Sequence, residues 1–168
     1  MKKITIVFVI LFVSAASFKA QNTAKLQSIF IYNFIKLIEW PSEYKSGSFN
    51  ITVLGNDPIY AELTKLAKAK KAGSQPIKVT KVSSAGSIGN PNILYVSKSK
   101  SGALGSAKSA IASKSTLLIS DTKGGIGKGA DINFVIVGNK PKFEIKTSSA
   151  KAKGLKVSSN LVNLGIQK

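Results

Sequence analysis

The chain has no histidine, no cysteine and no arginine, and it sets only seven carboxylates against 25 lysines in 168 residues. Each absence excludes something. Without histidine there is no side chain whose ordinary titration falls near neutral pH, so the usual general acid–base catalyst is missing. Without imidazole or thiolate, tight sites for zinc, copper or iron have no donors. Without cysteine no disulfide forms, so stability rests on packing and no thiol senses redox state. Without arginine the bidentate contact to guanine is lost, and the aromatics lie in apolar segments rather than between lysines, which argues against nucleic acid. This inventory points to a protein that binds, with no enzymatic activity, no cofactor and no metal.

What is present begins with an export pattern. Lys2 and Lys3 precede an apolar run from Ile4 to Val13, and small residues follow from Ser14 to Ser17. Residues 1–20 therefore read as a cleaved signal peptide that sends the chain to the periplasm. Residues 21–168 read as one domain, long enough for a true core. No later apolar run is long enough to cross a bilayer, so the exported chain is not expected to span the membrane. The lysine excess attracts anionic partners.

Apolar residues recur at three- and four-residue spacing from Leu26 to Ile38, which predicts a helix over 22–39 that ends before Pro41. Its expected inner face carries Leu26, Ile29, Phe30, Phe34, Leu37 and Ile38, and Ile31 and Ile35 widen that face, so the helix is expected to be buried on more than one side. Ile51–Leu54, Ile77–Val82, Ile93–Val96, Thr116–Ser120, Ile132–Val137 and Lys142–Lys146 read as strands. Helices are expected from Asp57–Pro58 to about Gly73, over Ala103–Ala112, and from Ser148 or Ser149 to Gly154. Ser83–Asn90 reads as a loop or weak helix, and Leu155–Ile166 as strand or helix. Gly138–Pro141 carries hairpin chemistry. Strands alternating with helices predict an α/β domain: a single-layer, mostly parallel mixed sheet flanked by helices, with a C-terminal antiparallel hairpin.

Apparent catalytic motifs fail on inspection. A phosphate loop ending at Gly127-Lys128 would need glycine at Thr122 and a hydroxyl residue at Gly129. Ser-x-x-Lys occurs at Ser42, Ser97, Ser120 and Ser148, a chance frequency in a chain so rich in both residues, and its partner motifs are absent. The carboxylates Asp57, Asp121, Asp131 and Glu144 are candidates for a glycoside-cleaving pair. Asp57, however, is most simply a helix cap. Asp121 and Asp131 bracket the glycine loop, where turn chemistry is a simpler account than a calcium site without EF-hand spacing. Asn33 falls on the apolar stripe of the first helix, where a buried amide needs a partner. Tyr32 and Trp40 combine an apolar body with a polar tip, which suits interfaces but also cores.

The segment Tyr32-Asn33-Phe34-Ile35-Lys36-Leu37-Ile38-Glu39-Trp40-Pro41 resembles the N-terminal signature of the YfiR-like family. Val53-Leu54-Gly55-Asn56-Asp57-Pro58, Asn92-Ile93-Leu94-Tyr95-Val96-Ser97 and Leu118-Ile119-Ser120-Asp121 resemble later anchors of that family. So does Ile132-Asn133-Phe134-Val135 through Phe143-Glu144-Ile145 and Ala152–Ser159. The resemblance implies a periplasmic α/β regulator, often dimeric. The best-known members bind the periplasmic domain of an inner-membrane diguanylate cyclase, hold it inactive, and so lower cyclic-di-GMP and biofilm formation; related domains are fused to sensor kinases. Family members often carry redox-linked cysteines, which this chain lacks. The candidate partner- or ligand-binding residues are Tyr32, Asn33, Trp40, Asn56, Asp57, Asp121 and Gly124. A second reading is a periplasmic solute-binding module for an anionic small molecule, with a crevice between Gly55–Pro58 and Ser120–Gly125.

Overall fold

The first helix, α1, is apolar nearly all round, and its contacts decide which side is core. A computed structural model describes residues 22–168, so the expected signal peptide lies outside the described residues. Helix α1 (22–37) turns Ala24, Gln27, Ser28, Ile31, Phe34 and Ile35 inward. Leu26 and Ile29, expected inside, are 44% and 47% exposed. The helix also ends earlier than predicted, because Ile38–Glu39 form β1, which pairs antiparallel with β9 (Lys156–Val157).

The main sheet contains β2 (Phe49–Leu54), β3 (Lys71–Ala72), β4 (Gln75–Val82), β5 (Ile93–Val96), β6 (Leu117–Ser120), β7 (Ile132–Val137), β8 (Lys140–Ile145) and β10 (Ile166–Gln167). Its order is β10-β8-β7-β6-β5-β2-β4-β3. Strands β4, β2, β5, β6 and β7 are mutually parallel. The β7–β8 hairpin is antiparallel, as expected. Its turn is the dipeptide Gly138-Asn139, with φ of 56° and 60°, the positive values that a tight hairpin turn needs at both central positions. Pro141, expected in the loop, lies inside β8.

Alternation along the buried strands separates two cores. Ile93 and Tyr95 of β5, with Ile51 and Val53 of β2, pack under α1, α2 (Ile59–Ala69) and α5 (Ser159–Leu164). Leu94 and Val96 face the opposite way, onto Leu104 and Ala107 of α3 (Leu104–Ala110). Phe34 meets Phe143 edge-on at 4.9 Å and fastens α1 to the hairpin. An aromatic pair of this kind adds about 0.5–1.5 kcal/mol beyond burial.

Several boundaries differ from expectation for local reasons. Helix α2 stops at Ala69, before Gly73, because Lys71–Ala72 turn back and pair with Gln75–Pro76. The α3 region opens with a 3-10 segment over Lys98–Ala103. Ser83–Asn90 holds only a 3-10 turn at Ala85–Ser87. Helix α4 is short, Thr147–Lys151, and the tail is neither all strand nor all helix but β9, α5 and β10 in turn. Among the described residues no helix is long and apolar enough to cross a membrane.

Candidate functional site

Strand β2 sits between β4 and β5, so the chain order reverses on either side of it. In an open parallel sheet, the crevice at the carboxyl ends of such strands is where ligands bind. Asp57 follows β2 and reaches that edge. Its Oδ1 accepts the N–H of Ile59 at 3.0 Å and so caps α2, the role its position before Pro58 predicts. Its Oδ2 accepts the hydroxyl of Tyr95, which rises from the end of β5 at 3.5 Å. Asp121 follows β6 and accepts Nε2 of the buried Gln27 at 3.3 Å.

These groups tune one another. Burial pushes the Asp57 carboxyl above its ordinary range; the Ile59 N–H opposes this, and the charge of Asp121 reinforces it. Burial, and then the negative charges of Asp57 and Asp121, hold the Tyr95 phenol far above its usual range. Tyr95 is thus a fixed hydrogen-bond donor, not an acid–base group.

Beyond β6 the loop 121–131 folds tightly over the edge. Asn133, the second residue of β7, organises it. Its Oδ1 accepts the Ser120 hydroxyl at 2.6 Å and the Thr122 N–H at 3.2 Å, and its Nδ2 donates to Glu144 at 3.2 Å. Gly125 lies against this knot, and a Cβ there would collide with the Ser120 hydroxyl and the Asn133 amide. The glycine-rich segment is therefore a packed loop leading into β7, not a phosphate-cradling turn ahead of a helix.

Two clefts open on this edge. One, of about 570 Å³, runs between the start of α1, the 121–124 loop and the projecting β7–β8 hairpin; Gln27, Asp121, Thr122, Gly124 and Asn133 line it. The other, of about 480 Å³, is bounded by Gly55, Asn56, Lys81 and Lys100. The fold thus brings Asn56, Asp57, Asp121 and Gly124 to one edge. Tyr32 and Asn33 lie half-buried on α1, so the premise of a fully buried Asn33 amide does not hold. Trp40 is set apart: only 5% exposed, it packs edge-on against Phe49 and donates to the carbonyl of Asn92, before the start of β5. Its large apolar body packs in the core.

Sequence reasoning missed Gln27, Tyr95, Thr122 and Asn133. Gln27 and Asn133 each left a signal, a polar residue at an apolar period position: Gln27 one turn before Ile31, Asn133 between Ile132 and Phe134. Nothing marked Tyr95 apart from its apolar neighbours.

No curated protein matches the chain. A crystal structure of a conserved domain protein from Vibrio cholerae O1 biovar El Tor str. N16961 superposes with a TM-score of 0.59 at 11% identity, over 86% of this chain. The match spans only 59% of that protein's length, and at this identity it shows the shared fold alone. The family model described as YfiR/HmsC-like matches residues 24–166. The chain therefore belongs to the YfiR/HmsC-like family, and membership implies a periplasmic regulatory protein.

Proposed function

We propose that the protein is a non-enzymatic repressor that docks on the extracytoplasmic domain of a membrane signalling protein, a diguanylate cyclase or a sensor kinase. The observation that carries this reading is the family match across residues 24–166. In this reading residues 1–20 are the export signal, residues 21–168 are the working domain, and the protein acts as a homodimer in the periplasm. The mechanism is differential binding: the inactive form of the partner binds better, and its population rises.

The outer side of α1 is the docking surface we favour. Leu26, Ile29 and Asn33 recur at helical spacing on one stripe, with Tyr32 beside them. Leu26 and Ile29 are large apolar side chains left about half exposed. Lysines elsewhere on the surface steer an acidic partner toward it. The test is capture of membrane proteins by the purified chain, with salt washes to separate charge from apolar contact. A partner with an extracytoplasmic sensor domain is expected, retained in high salt. Deletion of the gene with both cyclic-di-GMP and sensor-kinase output unchanged would defeat the proposal.

A further inference from the structure

We infer that the cleft beside Thr122 is a binding site for a small organic anion, a carboxylate or phosphate ester carrying an apolar body. Three independent features meet there. The first is an orphan. The Thr122 hydroxyl oxygen is the only buried side-chain nitrogen or oxygen among the described residues with no hydrogen-bond partner, and the residue is 7% exposed. Nearly all buried hydroxyls in folded proteins are satisfied, so this one calls for an acceptor. The Asn133 amide oxygen, which holds the Thr122 N–H, already accepts two hydrogen bonds, from Ser120 and from that N–H. One staggered step about χ1 re-aims a threonine hydroxyl, and the cleft lies against this side chain.

The second feature is charge. Lys98, Lys123 and Lys142 line the cleft. None of them takes part in an ion pair among the described residues. Of the two lining carboxylates, Glu144 is neutralised by Lys168 at 3.1 Å, and Asp121 is held by Gln27. The cleft is therefore net positive and offers donors.

The third feature is shape. Phe134, Val135, Ile136 and Pro141 of the projecting hairpin supply the apolar part of the cleft lining. A volume of about 570 Å³ suits a molecule of metabolite size. An anionic head toward Thr122 and the lysines, with an apolar body on those hairpin residues, satisfies all three. The cleft adjoins the start of α1, but Leu26, Ile29, Tyr32 and Asn33 do not line it, and its occupancy does not depend on the docking proposal.

The test uses amide NMR on the purified protein at constant ionic strength, titrated with phenyl phosphate and with benzoate. Inorganic phosphate and benzyl alcohol supply the head and the body alone. Saturable shifts confined to residues 121–124 and Asn133 are expected with at least one of the two combined probes, and the stronger of them tells phosphate from carboxylate. Both half-probes are expected to bind more weakly. Shifts centred on Lys81 and Lys100, shifts spread over all lysines, or none at all would overturn the site. Two variants sharpen the result. Lys123→Gln should weaken the better probe about tenfold, the worth of one charge-assisted contact. Thr122→Val keeps the side-chain shape and removes the orphan, so it should fold at least as well as the parent while binding several-fold less. Unchanged affinity in Thr122→Val would refute the role of the hydroxyl.

Discussion

The hydroxyl of Tyr95 donates to Oδ2 of Asp57 across 3.5 Å and joins the ends of β2 and β5, the parallel neighbours between which the chain order reverses. Because Asp57 is driven upward by burial and by Asp121, the folded protein holds its proton more tightly than the unfolded chain does. The stability this adds is fully present below the ordinary carboxylate range. It is lost as pH rises through the raised value. Asp57→Asn keeps an acceptor for the Ile59 N–H and removes the titration. Urea unfolding of both proteins from about pH 4 upward, starting near the ordinary carboxylate value, should show the parent losing ground to Asp57→Asn as pH rises. A gap between them that is independent of pH would count against the assignment.

Much of this architecture was legible in the sequence, and the parts that were not share a cause. The strands were readable because Ile93–Val96 and Leu117–Ser120 are short apolar runs with breakers nearby. The Asp57-Pro58 helix start was readable because capping is local chemistry. The buried side of α1 was only partly read: Phe34, Ile31 and Ile35 are buried, but apolar residues run on round the helix through Phe30 and Leu37 to the exposed Ile29 and Leu26, so periodicity alone does not choose a face. The small residues Ala24 and Ser28 lie on the buried side, where size rather than hydrophobicity sets the fit. The site was only half visible for a related reason. Gln27 and Asp121 are 94 residues apart, and only the strand order brings them together.

Asp131 provides the second prediction. Its carboxylate has no exposed surface and is bound by the Leu118 N–H, the Ser149 hydroxyl and Lys153. Lys153 also donates to the carbonyl of Thr116, at the foot of β6. Lys153→Met preserves the packing of the stem but leaves a buried charge without its partner. A loss of about 3–5 kcal/mol is expected on denaturant unfolding, the usual cost of breaking such a pair. A loss under about 1 kcal/mol would mean that the pair behaves like an exposed one.

Gly125 offers a steric test of the loop. An added methyl would meet the Ser120 hydroxyl and the Asn133 amide, both held in place by hydrogen bonds. Gly125→Ala should therefore destabilise the fold by about 1–3 kcal/mol, the range for overpacking a filled site. Gly127, whose Cβ would meet nothing closer than the Gly124 carbonyl at 3.5 Å, is the matched control and should tolerate alanine far better. Comparable losses in both variants would indicate that the loop, not the Asn133 knot, sets the response.

The outer stripe of α1 separates docking from folding. Leu26 and Ile29 are about half exposed, so only part of their apolar area is committed to the core. Leu26→Gln and Ile29→Gln together add good helix formers at surface positions and should change stability by no more than about 0.5 kcal/mol each. If this stripe meets the membrane partner, the double variant should lose high-salt capture while its unfolding midpoint stays near that of the parent. Ile31 supplies the contrast: it is fully buried in the same helix, and Ile31→Ala should cost about 2–5 kcal/mol as a core truncation. A double variant that is stable and still captures the partner in full would remove α1 from the interface and leave the carboxyl edge of the sheet as the surface to probe next.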